Sequence, residues 1–287
     1  MNRARLGKLL GLLALAVLGE PSAMAASGWA ELNMPRGVTN VSARIYALHM
    51  MAFWVCVVIA VLVFAVMIWS LIFHRKARGA VADVTMVHNT KVEIVWTAIP
   101  VLILVGMAVP AAKLLVRINN NANSEVSIRV NAFQWGWQYQ YVGTDVSLIS
   151  KLSMSSDAAS MLDSGINPKS VRHYLRSVDH PLVVPVGEKI RLLITSVDVV
   201  HSWWVPDIGV KKAAIPGFIN EASFTIDASK PGVYRGQCAD LCGRGHAFMP
   251  IVVHAVSADA FQAWLKQQET AEKQASAGAP ASAPAST

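Results

Sequence analysis

Cysteine is scarce in this 287-residue chain, with three in all, and none belongs to a C-x-x-C-H motif. A covalently attached c-type haem is thereby excluded. Charge is thin as well: 15% of residues are charged while 54% are hydrophobic, far from an ordinary soluble chain. No internal repeat is present. The formal net charge of +7 invites a nucleic-acid partner, but its position argues against one. Eleven of the 25 basic residues and four of the 18 acidic ones precede position 123, which leaves the rest of the chain neutral. The surplus sits where membrane insertion uses it, so no nucleic-acid partner is expected.

The hydrophobic residues are unevenly placed. Leu9 to Leu18 is a short apolar run behind Arg3, Arg5 and Lys8, followed by Ala23-Met24-Ala25. Residues 1–25 therefore read as a cleaved secretory signal. Ten apolar residues cannot cross a bilayer, and no cysteine follows the cleavage site to carry a lipid. Two later runs are long enough to span. Met50 to Phe73 holds 24 residues without a formal charge and Ile94 to Ala112 holds 19, close to the roughly 20 that a bilayer core requires. Pro100 and Pro110 are tolerable in a membrane helix. A transmembrane hairpin is expected, with helices at about 48–73 and 93–116 inside an N-terminal segment of residues 26–122. Arg75, Arg78 and Lys91 in its linker, with Lys76, set the loop on the cytoplasmic side and both outer ends on the periplasmic side. A signal peptide requires the same orientation, that of a multi-pass protein of the bacterial inner membrane.

Beyond residue 123 the pattern becomes β-rich. VSIRV, HPLVVPV, KIRLLIT, ASFTI and MPIVVHAV are separated by Gly, Pro and Asp clusters, which predicts a sandwich or small barrel over 123–256. Ser257 can cap a last amphipathic helix over 257–274, with Phe261, Trp264 and Leu265 on one face. From Ala275 an Ala/Ser/Pro tract has no means of building a core and is expected to be disordered.

One loop concentrates unusual chemistry. GQCADLCGRGHAFMP places Cys238, Cys242, His246 and Met249 in a C-x3-C-x3-H-x2-M pattern. A disulfide suits an oxidising compartment but leaves the His and Met unexplained. Zinc rarely takes a Met. Thiolate, imidazole and thioether together describe copper in an electron-transfer site. A mononuclear site needs one Cys; two could bridge a pair of coppers, each then needing its own imidazole. His201 in VVHSWWVP, read as lying just after a strong apolar strand, is the candidate for the second.

VVHSWWVP, AAIPGF and GQCADLCGRGHAFMP, behind a two-helix hairpin, resemble subunit II of the haem-copper cytochrome c oxidases of the bacterial aa3 type. The resemblance covers nearly the whole mature chain. It implies a membrane α-helical hairpin followed by an all-β cupredoxin-like domain, with a binuclear copper A centre bridged by Cys238 and Cys242. His201 and His246 would bind separate coppers, with Met249 and the carbonyl of Asp240 as weak outer ligands. Relatives usually carry Glu at 240, whose carboxylate binds a magnesium shared with subunit I. The implied partners are oxidase subunit I, which carries the haem and the oxygen chemistry, subunit III, and cytochrome c as donor. The implied activity is electron input to oxygen reduction and proton pumping.

Two further residues acquire roles from the resemblance. FQWGWQYQY, residues 133–141, has aromatics at every odd position, which argues for one buried strand face. The family pattern instead sets Trp135 exposed above the copper as the electron receiver, and Gly136 could allow a bulge that turns it outward. Thr90 and Glu93 read as a capping box, while the resemblance puts Glu93 at the cytoplasmic mouth of a proton path. Cys56 reads as an inert buried thiol. Gln140 and Ala213 stand where relatives commonly carry acids; Asp145, Asp157, Asp163 and Asp179 remain as acidic residues for a cytochrome. Quinol oxidase subunits lack the two cysteines, and the copper A domain of nitrous oxide reductase lacks the hairpin. A periplasmic, membrane-anchored copper-delivery protein is the rival from another class.

Overall fold

The computed structural model describes residues 33–81 and 88–278. The expected signal sequence and the end of the Ala/Ser/Pro tail lie outside the described residues. Two long apolar helices come first, α1 (Asn40–Phe73) and α2 (Thr90–Ile118), both long and apolar enough to cross a membrane. Their large apolar side chains face outward, including Leu62, Phe64, Trp69, Leu102 and Leu104, as helices in lipid or against other subunits require. Cys56 shares that outward face and is exposed, not buried as expected.

α1 begins well before its apolar run because Thr39 caps it. The Ser42 amide donates to Thr39 Oγ1 at 2.9 Å, and the Thr39 amide donates to Ser42 Oγ at 3.0 Å, a reciprocal capping box. Thr39 Oγ1 also donates to the Ile208 carbonyl at 2.8 Å. This fastens the helix to the short turn Pro206–Ile208 of the β-domain. The junction has no spare room: a Cβ on Gly209 would meet Ser42 Cβ at 2.8 Å, and Gly209 has φ +76°. α2 is capped by Asn89, whose side chain accepts from the Lys91 and Val92 amides, so the expected Thr90 cap is displaced by one residue. Glu93 still serves the helix start, with Oε1 accepting from the Asn89 amide at 3.3 Å and lying 2.8 Å from His88 Nδ1.

The β-domain is a sandwich of two five-stranded sheets. The strands are β1 (Val126–Phe133), β2 (Gly136–Tyr141), β3 (Ser147–Ser150), β4 (Leu182–Pro185), β5 (Lys189–Ser196), β6 (His201–Val205), β7 (Val210–Ala214), β8 (Asn220–Thr225), β9 (Gly232–Cys238) and β10 (Pro250–Val256). The sheet orders are β3-β2-β1-β5-β8 and β4-β10-β9-β6-β7. β5 alternates half-buried and buried along its length, as a strand with one face on the core should. This is the all-β architecture expected. Besides the strands, the domain carries the short helix α3 (Met154–Ser160), which the β-rich runs did not announce.

FQWGWQYQY is not one strand. Phe133 pairs with Gly136 across a hairpin whose turn is Gln134-Trp135, so no bulge forms. Trp137, Tyr139 and Tyr141 point inward on β2, while Trp135 sits in the turn, half-buried. Burial pushes the Tyr139 hydroxyl's pKa well above its ordinary value. Tyr141 ties the sheets together: its hydroxyl donates to the Val183 carbonyl at 2.8 Å and accepts from the Val183 amide at 3.0 Å. Its ring also packs on Phe261 and Trp264 of α4 (Ala258–Gly278). Ser257 Oγ accepts from the Ala260 amide at the start of α4. The helix continues to Gly278, past the expected boundary at 274, so the tract beginning at Ala275 is helical for its first four residues.

Candidate metal centre

Two loops meet at one end of the sandwich. The first joins β9 to β10 and carries Cys238 through Met249; the second, residues 197–200, leads from β5 into β6. His201 is the first residue of β6 and not the residue after a strand. β6 runs beside β9 with Trp203 opposite Cys238, and this pairing brings His201 and Cys238 together from 37 residues apart.

Both cysteines are free, so the disulfide alternative does not hold. Cys238 Sγ lies 3.8 Å from Cys242 Sγ. His201 Nδ1 is 3.9 Å from Cys238 Sγ, and His246 Nδ1 is 3.6 Å from Cys242 Sγ. The donor atoms of His201, Cys238 and Cys242 all fall within 4.8 Å of one another, and His246 joins them through Cys242. The Asp240 carbonyl lies 3.3 Å from Cys238 Sγ. His201 is fully buried, and Cys238, Cys242 and Met249 are nearly so. Met249 also accepts the Cys238 amide on its carbonyl, which closes the base of the loop.

Charge in this pocket is unevenly shared. Burial alone would raise the Cys238 thiol, but hydrogen bonds with His201 and with the backbone at Ser202 and Asp240 outweigh it and bring the pKa to about 6. Burial, followed by the neighbouring Cys238 thiolate, pushes Cys242 up to about 12. The two neighbouring sulfurs are thus pushed in opposite directions, Cys238 toward the thiolate and Cys242 away from it. Burial works against protonation of His201, yet its bonds to Cys238 and Asp198 raise its pKa overall.

Asp198 is a member of the site that the residue pattern did not reveal. Its Oδ1 is 3.0 Å from His201 Nε2, which leaves Nδ1 to face the sulfurs. The same carboxylate accepts from the Val199 amide at 2.6 Å and, through Oδ2, from the Gln134 amide at 2.7 Å. Burial opposes its ionisation, but these hydrogen bonds hold its pKa below the usual range. One side chain therefore orients a histidine and anchors the turn that carries Trp135.

That turn rests on the cysteine loop. Trp135 Nε1 donates to the Cys242 carbonyl at 3.1 Å, and Gln134 Nε2 donates to the same oxygen at 2.9 Å. Gly245 makes room for the indole, since a Cβ there would lie 2.3 Å from Trp135 Cδ2. The Arg244 guanidinium lies 5.6 Å from the ring centroid. Glu93, at the other end of the hairpin, is not part of this cluster.

Residues 126–256 match the family described as cytochrome C oxidase subunit II, periplasmic domain, and residues 27–114 match its transmembrane domain. The chain belongs to the cytochrome c oxidase subunit II family. Cytochrome c oxidase subunit 2 of Arabidopsis thaliana is 34% identical over 245 residues, covering 85% of this chain and 91% of the relative. The mitochondrial subunit 2 of Glycine max is 35% identical over 245 residues, again 85% of this chain, which spans 60% of that relative's length. Among solved structures, the periplasmic domain of subunit II of cytochrome oxidase from Bradyrhizobium japonicum is 34% identical. It covers 54% of this chain and 98% of its own, with a TM-score of 0.44. The two helices, the sandwich and the His/Cys/Cys cluster of this subunit II chain are in keeping with that membership.

Proposed function

We propose that this chain is the electron-input subunit of a cytochrome c oxidase, holding a binuclear copper A centre on Cys238, Cys242, His201 and His246. The observation that carries the reading is the pair of unbridged, buried sulfurs with one imidazole nitrogen near each. The donor set fits copper, soft sulfur with imidazole and a buried thioether, and zinc poorly. When bound, such a centre supplies one-electron storage with little rearrangement. Met249 and the Asp240 carbonyl stand as outer ligands. Asp198 fixes the His201 ring, and the buried wall formed by Trp203, Pro250 and their neighbours limits solvent.

Trp135 receives the electron from cytochrome c in this reading, supported by its direct hydrogen bond to the Cys242 carbonyl. The electron would pass on to haem in subunit I, where oxygen reduction and proton pumping would take place, and Glu93 would stand at the mouth of a proton path. Subunit III completes the assembly. The rival copper-delivery reading gains no support from a pocket in which His201 is fully buried and the three sulfur donors Cys238, Cys242 and Met249 nearly so. In the assembled complex, His201→Ala should abolish oxygen consumption driven by reduced cytochrome c while haem content is retained. Full turnover with that donor would refute the role.

The positive charge of Arg75 and Arg78 between the helices and of Lys91 in the first turn of α2 supports an orientation with the β-domain on the periplasmic side of the bacterial inner membrane. A cysteine introduced at position 78 should resist a membrane-impermeant thiol reagent applied from outside. Labelling there would invert the topology.

Asp240 separates two jobs by atom. Its carbonyl faces Cys238, while its carboxylate is free to hold a magnesium shared with subunit I. Magnesium demands near-octahedral oxygen ligands at about 2.0–2.1 Å, whereas backbone ligation is indifferent to the side chain. Asp240→Ala should keep the copper spectrum and lose the magnesium, or manganese put in its place, and Asp240→Glu should keep both. Loss of the copper signal in Asp240→Ala would show that the two roles are not separable.

A further inference from the structure

The outer end of the helical hairpin carries positive charge that topology does not require. A cavity of about 360 Å³ opens between α1 and α2, lined by Arg44, Lys113 and Arg117 and, further from the outer ends of the two helices, by apolar residues including Ala47, Met51 and Pro110. A second cavity of about 290 Å³ shares Arg44, Leu114 and Arg117 and runs to Lys189 on the β-domain. No carboxylate lines either one, and none of the ion pairs among the described residues involves these three cations. Positive residues outside the membrane run against the bias that orients helices, so they need another reason.

A bland reading explains two of the three. Lys113 and Arg117 lie four residues apart near the C-terminus of α2, where cations complement the helix dipole and long side chains reach the interface. Arg44 has no such excuse. It lies in the second turn of α1, whose first turn contains no acid, so the positive end of that dipole opposes it. An anion held among the three would offset that opposition.

Depth indicates which anion. On α1 no Lys, Arg, Asp or Glu occurs between Arg44 and Arg75, so Arg44 stands at the outer end of the uncharged run. On α2 the uncharged run ends at Ala112, next to Lys113. The three cations therefore ring the groove at the level of the headgroup region that flanks the roughly 30 Å hydrocarbon core. The apolar floor continues below them toward that core. A free phosphate would satisfy the charges and leave the floor uncovered. We propose that this groove holds one anionic phospholipid, its phosphodiester between Arg44, Lys113 and Arg117 and an acyl chain along Ala47, Met51 and Pro110. Phospholipid is present in both leaflets, but the positive surplus at this end is anomalous only in the orientation proposed above; the site does not depend on copper.

The test uses the full chain in its complex, in nanodiscs of an equimolar phosphatidylcholine and phosphatidylglycerol mixture, released gently for native mass spectrometry. One phosphatidylglycerol should stay with the chain. Arg44→Gln with Arg117→Gln should reduce its retention about 30-fold, the effect of two cations near an anionic headgroup, with the copper and haem spectra unchanged. A photo-crosslinker at position 47, with all three cations in place, should yield an adduct of phospholipid mass. Unchanged retention in the double variant, equal retention of phosphatidylcholine, or a crosslink to another polypeptide would each overturn the proposal.

Discussion

Replacing Cys242 with serine should erase the two-copper electronic signature while leaving the fold in place. In the full chain within its complex, the oxidised wild type should show one unpaired electron coupled to two near-equivalent copper nuclei. Cys242 lies 3.8 Å from Cys238 and 3.6 Å from His246 Nδ1, so its sulfur is what would join the second imidazole to the first. A serine hydroxyl is smaller, harder and not ionised at neutral pH, and it makes a poor copper ligand. Any copper that stays bound should couple to a single nucleus. A two-nucleus spectrum surviving the change would remove the bridging role. Loading should also depend on pH in a definite sense. With the Cys242 thiol pushed up to about 12 and the His201 pKa raised, binding at neutral pH must displace at least one proton, so apparent affinity should rise at least about tenfold per pH unit from 6 to 8. A flat profile would contradict that.

Asp198→Ala should be the most damaging change to a residue that is not itself a ligand. It removes the partner of His201 Nε2 and two acceptors of backbone amides at once. Loss of such an orienting carboxylate typically lowers metal affinity 10- to 100-fold, and competition with a copper chelator would measure it. Asp198→Asn should recover part of that affinity, because an amide oxygen can still accept one of these bonds. The Gln134-Trp135 turn should loosen as well, read as a change in indole fluorescence and as slower electron uptake from cytochrome c. If Asp198→Ala left both affinity and uptake unchanged, its hydrogen bonds would be passengers.

The hairpin and the strands of the sandwich were readable because they rest on long-range patterns: uncharged runs of spanning length, and apolar runs bounded by Gly, Pro and Asp. The metal cluster was readable because Cys, His and Met at short spacing have few structural excuses. What escaped was local or relational. Asn89 and Thr90 are both good caps, and composition alone cannot choose between neighbours. The alternation in FQWGWQYQY runs unbroken through a two-residue turn, so its period concealed the hairpin that lifts Trp135 out of the core. Asp198 gave no signal because a lone acid in a loop has many uses. Its meaning depends on β6 placing His201 three residues on, with the Gln134 turn opposite. His201 itself was identified by chemistry, but the strand that begins with it was hidden by the apolar stretch before it.

The bond from Thr39 Oγ1 to the Ile208 carbonyl has a mechanical consequence. It fastens the first membrane helix to the turn that ends β6, and β6 begins with His201. From Val205 to His201 is four residue steps, about 13 Å of stiff extended chain. The anchor at Ile208, one short turn beyond Val205, and the buried imidazole at His201 are thus linked by a short strand and the turn that follows it. If the cluster holds the proposed electron-transfer centre, this link would set its stand-off from the bilayer. Lengthening it by one residue would detune electron delivery without touching a ligand.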